Sequence, residues 1–213
     1  MELLKTIVYD ISNCYGEIMH KPKVFNDDCL LFDQKFSEKI ELTFYSPPYC
    51  NCFDYFEIHK VDLWLGEFVK SQKDFRTLRK TGFRSNTNST SRKEISYTNK
   101  KLESLLSLLN MEILWNKKIP NVIKGYFDHT YTLLSKLYSQ TTNGGFVGIV
   151  VGNSAYTGVI IPTDLLIADI AKEIGFKVKN IYITRHLTTS SQQKRELESL
   201  KYFLRESIVL LEK

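Results

Sequence analysis

The sequence predicts an α/β fold. Short runs of β-branched and aromatic residues alternate with period two, longer segments repeat their apolar residues every three or four positions, and the two kinds of segment alternate along the chain. At 213 residues and 43% hydrophobic content, the chain can bury one sizeable core, so a single domain over residues 1–213 is expected.

The first element is a helix. Leu4, Ile7, Val8, Ile11, Cys14, Tyr15 and Ile18 form one apolar stripe, which should end near His20, before Pro22. Asp10 then falls on the solvated side. Val24 and Phe25 give a short strand that closes on Asn26-Asp27-Asp28-Cys29, where two acids suit the cap of a following turn.

The next strand organises the chain. Ile40, Leu42 and Phe44 alternate with Glu41, Thr43 and Tyr45, a pattern read as a buried strand, and it runs into Ser46-Pro47-Pro48-Tyr49. Neither proline has an N–H, so ladder pairing stops there. Each proline also fixes its own φ and keeps the preceding residue extended, so the carbonyls of Ser46 and Pro47 point outward as unspent acceptors. Two acceptors beside an aromatic face suit a flat ring bearing an amino group. Hydrogen bonds from both amino protons would draw the delocalised lone pair back onto nitrogen, and Tyr49 would stack on the ring. A surface proline turn or a polyproline ligand is the plainer reading, but such ligands sit in polar tracts and this turn caps an apolar strand.

Ser-Pro-Pro-Tyr followed by Cys50-Asn51-Cys52-Phe53-Asp54-Tyr55 resembles the catalytic motif of the S-adenosylmethionine-dependent amino-methyltransferases of DNA, in the branch that continues Asn-x-x-Asp-Tyr. The resemblance implies an incomplete Rossmann-like class I methyltransferase sheet with helices on both faces and a terminal β-hairpin. It implies Ser46, Pro47, Pro48 and Tyr49 as catalytic residues, with Asn51, Asp54 and Tyr55 at the rim of the base pocket. It also places Asp28 where an acid accepts a hydrogen bond from the cofactor's adenine. Ile7-Val8-Tyr9-Asp10 resembles the strand end whose acid holds the cofactor ribose, but the helical stripe runs through it. Ser46 at the first motif position leans toward cytosine N4 over adenine N6.

After the motif, residues 55–70 read as a helix with Phe56, Val61, Trp64, Leu65 and Phe68 facing inward. Between Lys70 and Lys101 ten basic residues face two acids, a window of +8 in a chain of net +5. That concentration suits a phosphate backbone and makes Arg76, Arg79, Arg84 and Arg92 candidate DNA contacts. Residues 84–96, rich in Ser, Thr and Asn, read as a mobile loop, either a solvated linker or a segment ordered by nucleic acid. Helices follow over residues 102–115 and 122–138, the second interrupted by Thr130, and residues 70–140 together form a candidate nucleic-acid-contacting insertion.

Residues 142–145 read as a turn and residues 146–151 as a strand buried on both faces. The loop over residues 152–158 has too few glycines for a dinucleotide or P-loop fingerprint. A helix from Pro162 carries Leu166, Ile167, Ile170, Ala171 and Ile174 and stops at Gly175. Two further strands, one with Val178, Ile181 and Ile183 and one over residues 206–212, complete the expected hairpin, and Arg205-Glu206-Ser207-Ile208-Val209 resembles the family's closing phrase.

What is absent also predicts. No apolar run reaches membrane-spanning length, and no signal-peptide order opens the chain, so a cytoplasmic protein is expected. Cys14, Cys29, Cys50 and Cys52 lack paired metal spacing, and reduced thiols with no bound metal are expected. The glycine-rich cofactor turn of the resembled family does not occur. The missing part is expected upstream or on a second protein chain, beside an exposed apolar surface near residues 3–26. Two alternatives stay open: a guanine-amino methyltransferase of RNA, and a nucleic-acid-binding subunit that kept the fold without the chemistry.

Overall fold

The computed structural model of the chain describes residues 2–13, 22–90, 95–188 and 199–213. In chain order the elements are α1 (Glu2–Asn13), β1 (Ile40–Tyr45), α2 (Tyr55–Ile58), α3 (Lys60–Leu65), α4 (Gln72–Thr81), α5 (Lys100–Asn110), α6 (Ile119–Gln140), β2 (Thr141–Gly152), β3 (Ser154–Tyr156), β4 (Val159–Ile161), α7 (Thr163–Ile174), β5 (Lys177–His186) and β6 (Arg205–Glu212).

Four strands form a mixed sheet in the order β1-β2-β6-β5. β1 and β2 run parallel, and β6 is antiparallel to both of its neighbours. The terminal hairpin is therefore present, with its last strand inserted between β2 and β5. On one face of the sheet Val147, Ile149, Val151, Val209 and Leu211 are fully buried against α6 and α7, which supply Ile123, Leu134, Ile167 and Ile170. Each such side chain contributes about 1.5–3 kcal/mol by leaving water. Thr130, in the middle of the buried face of α6, gives its hydroxyl to the Tyr126 carbonyl at 2.9 Å, so that hydroxyl is not orphaned. Gly175 ends α7 at φ 121°, in the left-handed region that favours glycine.

The other face is bare among the described residues. Leu42 and Phe44 are 65% and 62% exposed, and half-buried Val150, Ile208 and Leu210 share that face with them. This corrects the expected burial of β1 and the expected helices on both faces. Alternation defines two faces but not which one meets the core, and here the Thr43 and Tyr45 side turns inward. Burial pushes the Tyr45 phenol far up.

Other segments differ as well. Val24 and Phe25 form no strand and are exposed. Residues 55–70 break into α2 and α3 at His59, and Val61, Trp64, Leu65 and Phe68 face solvent. Phe56 does pack, against Gly82, where a Cβ would stand 2.4 Å from the ring. α4 lies in a stretch read only for its charge; Ser71 caps it by accepting from the Asp74 amide, and Phe75 anchors it in the interior. Residues 142–145 belong to β2, across a register shift, with Gly144 at φ 79°. A hairpin of β3 and β4 replaces the expected loop, turning at Thr157 and Gly158, both with positive φ.

The polar run is the largest difference. Arg84, Ser85, Asn86 and Ser89 are each at most 8% exposed. The Ser89 hydroxyl donates to the Arg79 carbonyl at 3.2 Å, and Asn86 Oδ1 accepts from the Asn88 amide at 2.9 Å. Satisfied polar groups can be buried, and here they are. The stretch after Asn13 that was read as the rest of α1, residues 91–94 with Arg92, and the middle of the β5–β6 connection lie outside the described residues.

Candidate active site

The Ser-Pro-Pro-Tyr turn leaves the carboxyl end of β1 beside β2. The Ser46 hydroxyl donates across to the Val150 carbonyl at 3.1 Å, fixing the start of the turn to the neighbouring strand. Among the described residues no donor takes the Pro47 carbonyl. Tyr49 is half-buried with its ring against the backbone of Gly152, where a Cβ would stand 2.8 Å from two ring carbons.

The Tyr49 hydroxyl donates to Glu206 Oε2 at 2.6 Å. Glu206 stands on β6 opposite Gly152. It also accepts from Arg185 Nε at 3.1 Å, Arg185 Nη2 at 2.8 Å and the Thr184 hydroxyl at 3.0 Å. The hydrogen bonds from Arg185 first, and from Tyr49 second, pull the Glu206 carboxyl down to about 2. Burial and the bond to Glu206 push the Tyr49 phenol up to about 12. Donor and acceptor therefore keep the protonation states their bond requires across the neutral range. Sequence reasoning noted Glu206 only within a closing phrase and missed it as the brace of the aromatic; an acid opening the strand paired with β2 was the available signal.

Behind the tip, the Cys50 carbonyl accepts from the Ser154 hydroxyl at 2.5 Å and the Tyr156 hydroxyl at 3.0 Å. The β3–β4 hairpin thus clamps the residue after Tyr49. Cys50 is fully buried, and burial pushes its thiol up, which makes it unreactive. Cys50 and Cys52 are free thiols, and no cluster of metal-ligating side chains occurs among the described residues.

The candidate rim residues have structural partners. Asn51 Oδ1 accepts from the Phe53 amide at 3.1 Å, and Tyr55 meets Phe53 edge to face at 4.8 Å between ring centroids. Asp54 caps α2, accepting from the Glu57 amide at 3.2 Å, and also accepts from Arg79 Nε at 3.1 Å, Arg79 Nη2 at 2.5 Å and Asn88 Nδ2 at 2.8 Å. Burial alone would raise the Asp54 carboxyl, but these hydrogen bonds hold it below its ordinary value. Arg79 makes a further ion pair with Glu57 at 3.2 Å.

Of the candidate DNA-contacting arginines, Arg79 is thus tied to the motif segment and Arg84 is buried along Gly125 of α6. Arg76 is exposed on α4, and Arg92 lies outside the described residues. One of the Asp28 carboxylate oxygens accepts from the Leu30 amide at 3.0 Å, capping a 3-10 turn at Cys29–Gln34. Lys136 of α6 holds that turn through the Leu30 carbonyl and Asp33, each at 2.6 Å.

Two adjoining cavities, of about 260 and 180 Å³, share Thr87, Thr90 and Lys118, and a third of about 530 Å³ lies between α5 and α7; residues 46–49 line none of them. Among the described residues no helix is long and apolar enough to cross a membrane.

No family model matches the chain. The Type II methyltransferase M.AvaI of Nostoc sp. (strain PCC 7120 / SAG 25.82 / UTEX 2576) is 31% identical over 205 residues, covering 85% of this chain and 42% of that protein, and M.AvaI of Anabaena variabilis matches equally. The Type II methyltransferase M.BsoBI of Geobacillus stearothermophilus is 29% identical over 190 residues, 79% of this chain and 37% of that protein. Among solved structures, a chain described as a DNA modification methylase of Thermus thermophilus overlaps 42% of this chain and 37% of its own at 16% identity and a TM-score of 0.31, below the level of a shared fold. The chain spans about two fifths of the length of the curated relatives it matches. Over most of its own length, and with the motif at Ser46 to Tyr49 within it, the chain is a relative of the Type II methyltransferases.

Proposed function

We propose that the chain is the base-holding part of an S-adenosylmethionine-dependent DNA methyltransferase acting on the exocyclic amine of cytosine (N4) or adenine (N6). An upstream segment or a second chain would supply the glycine-rich cofactor turn. The observation that carries this reading is the tip itself. It has a Pro47 carbonyl that no donor among the described residues takes, a Ser46 hydroxyl anchored to β2, and an aromatic ring held by Gly152 and Glu206.

A flipped base would lie on Tyr49 with its amino protons donated to the Ser46 hydroxyl oxygen, which keeps its lone pairs while donating to Val150, and to the Pro47 carbonyl. Those bonds favour a pyramidal amino nitrogen whose lone pair is drawn out of conjugation with the ring and back onto nitrogen, and the rigid turn makes the arrangement before the base arrives. S-adenosylmethionine, when bound, would supply a methyl group on a sulfonium. Asp28, a half-buried carboxylate on a turn held by α6, is the residue of this chain fitted to accept from its adenine amine. No glycine-rich turn suited to its methionine end occurs in the sequence.

Support for a completing chain comes from surface. Among the described residues, the face around Leu42 and Phe44, the edge of β1 and the exposed Leu4, Ile7 and Val8 of α1 are uncovered apolar areas of the kind that associate.

The test is methylation of mixed-sequence duplex DNA by the chain with and without a glycine-motif partner, followed by identification of the product nucleosides. N4-methylcytosine or N6-methyladenine, formed only in the mixture and lost in Ser46→Ala with DNA affinity retained, is expected. Failure of every such mixture to methylate, or full activity in Ser46→Ala, would refute the reading. Tight calorimetric binding of S-adenosylmethionine by the isolated chain would refute the need for a partner.

A further inference from the structure

The two adjoining cavities between α4, residues 82–90 and the head of α6 concentrate positive charge. Arg76, Arg79, Lys80 and Lys118 line the larger, and Arg84 with Lys118 lines the smaller. Thr87 and Thr90 lie on the shared wall. Among the described residues the nearby acids Asp54 and Glu57 are already engaged, both binding Arg79. Arg76 and Lys118 are exposed and stand on two different elements.

The cavity is also wired to the tip. Asp54 binds Arg79 and Asn88, both on the cavity wall, through one carboxylate oxygen. Asp54 follows Tyr49 by five residues, a span of at most about 17 Å even if fully extended. A single DNA strand advances about 3.4 Å per nucleotide, so a phosphate within about five steps of a base on Tyr49 can reach this wall.

We propose that this cationic cavity seats one phosphodiester group of the DNA strand whose base enters the tip, with Arg76 and Lys118 as its charged clamp. Thr87 and Thr90 would give hydroxyl donors, and Asp54 would pass the position of the seat to the motif segment. This rests on the DNA reading above and adds to it a defined anion site, including Lys118, which charge counting along residues 70–101 did not reach. The larger cavity, of about 260 Å³, is roomy enough for a phosphate group.

The experiment measures anisotropy of a labelled duplex over a range of salt, using the 213-residue chain, the paired variant Arg76→Gln/Lys118→Gln, and a control pair Lys100→Gln/Lys172→Gln on the α5–α7 cavity. Both pairs remove two exposed charges, so unfolding is not at issue. The clamp variant should bind roughly tenfold more weakly, the scale of a lost charge-assisted hydrogen bond, and its slope of log K against log salt should shrink by about 0.9 for the one phosphate released. The control pair should leave the slope nearly as it was.

Unchanged binding in the clamp variant, or an equal fall in the control, overturns the seat. Calorimetry with inorganic phosphate separates the two sources of the anion. Binding of inorganic phosphate that the clamp variant abolishes, while duplex affinity stays whole, would assign the site to a free phosphate and overturn the DNA seat. The methyl-transfer reading fails separately, since Ser46→Ala is read by product nucleoside and lies outside the clamp.

Discussion

Removing one oxygen from Tyr49 tests how the tip is held. In Tyr49→Phe the ring still rests on Gly152, but the 2.6 Å bond to Glu206 is gone. A hydrogen bond to a charged acceptor contributes about 1.5–3 kcal/mol. Glu206 would keep Arg185 and Thr184, so no charge is orphaned and the lower figure of about 1.5 kcal/mol applies. If that bond sets the ring's position, the aligned population falls about tenfold. Turnover of the completed enzyme should drop by about that factor with little change in KM for DNA, because the loss falls on alignment and not on phosphate contacts. Tyr49→Ala, which removes the stacking face too, should lose far more. Tritium transfer from S-adenosylmethionine with thermal unfolding alongside measures both quantities. A Tyr49→Phe enzyme less stable yet fully active would show that the ring is only a structural plug, and no change in either quantity would refute the brace.

Gly152→Ala would force a methyl group within 2.8 Å of two Tyr49 ring carbons and 3.1 Å of Leu187, so a loss of about 1–3 kcal/mol and a misplaced ring are expected, read by denaturation and by methylation. Asp54→Ala should cost about 2 kcal/mol through the lost α2 cap and the lost hydrogen bonds to Arg79, which would keep only Glu57, and it should weaken DNA binding along with methylation. Stability should be flat from about pH 5 to 9. The contributions of Asp54 and Glu206, both depressed, are fully present above their ordinary values of 3.8 and 4.5 and are lost as pH falls through the folded values, about 2 for Glu206. The Tyr49 contribution, from a raised phenol, is present below 10 and lost as pH climbs through about 12. A transition near neutral pH in a urea titration series would contradict these assignments. Phe44→Glu should leave the isolated chain folded, since that side chain is 62% exposed, but abolish copurification with a completing chain; retained association would place the partner elsewhere.

The parts legible in the sequence were those whose neighbours are themselves apolar. Residues 119–140, 146–151 and 163–174 carry long one-sided or continuous patterns, and burial follows pattern when a helix or strand has only one face to hide. β1 was legible as a strand but not in orientation, because Leu42 and Phe44 await a cover that the described residues do not provide while Thr43 and Tyr45 meet the core. The run from Ser85 to Ser89 reads as solvated because composition records polarity without recording partners. The Ser89 hydroxyl is satisfied by the Arg79 carbonyl, the Asn86 side-chain oxygen by the Asn88 amide, and the Asn88 side-chain amide by Asp54, contacts that exist only after folding. Val61 and Leu65 show the reverse, an apolar spacing with nothing to pack on. The motif itself needed no fold to be seen, whereas its brace is 157 residues away in sequence and only the sheet brings it near.

β6 comes last of the sheet strands in the chain yet sits inside the sheet, bonded on both sides, while β1 and β2 are parallel partners about a hundred residues apart. During synthesis, at roughly 5–20 residues per second, the earlier strands must therefore wait on the ribosome without the neighbour that joins β2 to β5. Such late, distant pairing makes for slow folding. Translation pace and chaperone supply, more than any single contact, should govern how much of this protein a cell recovers in working form.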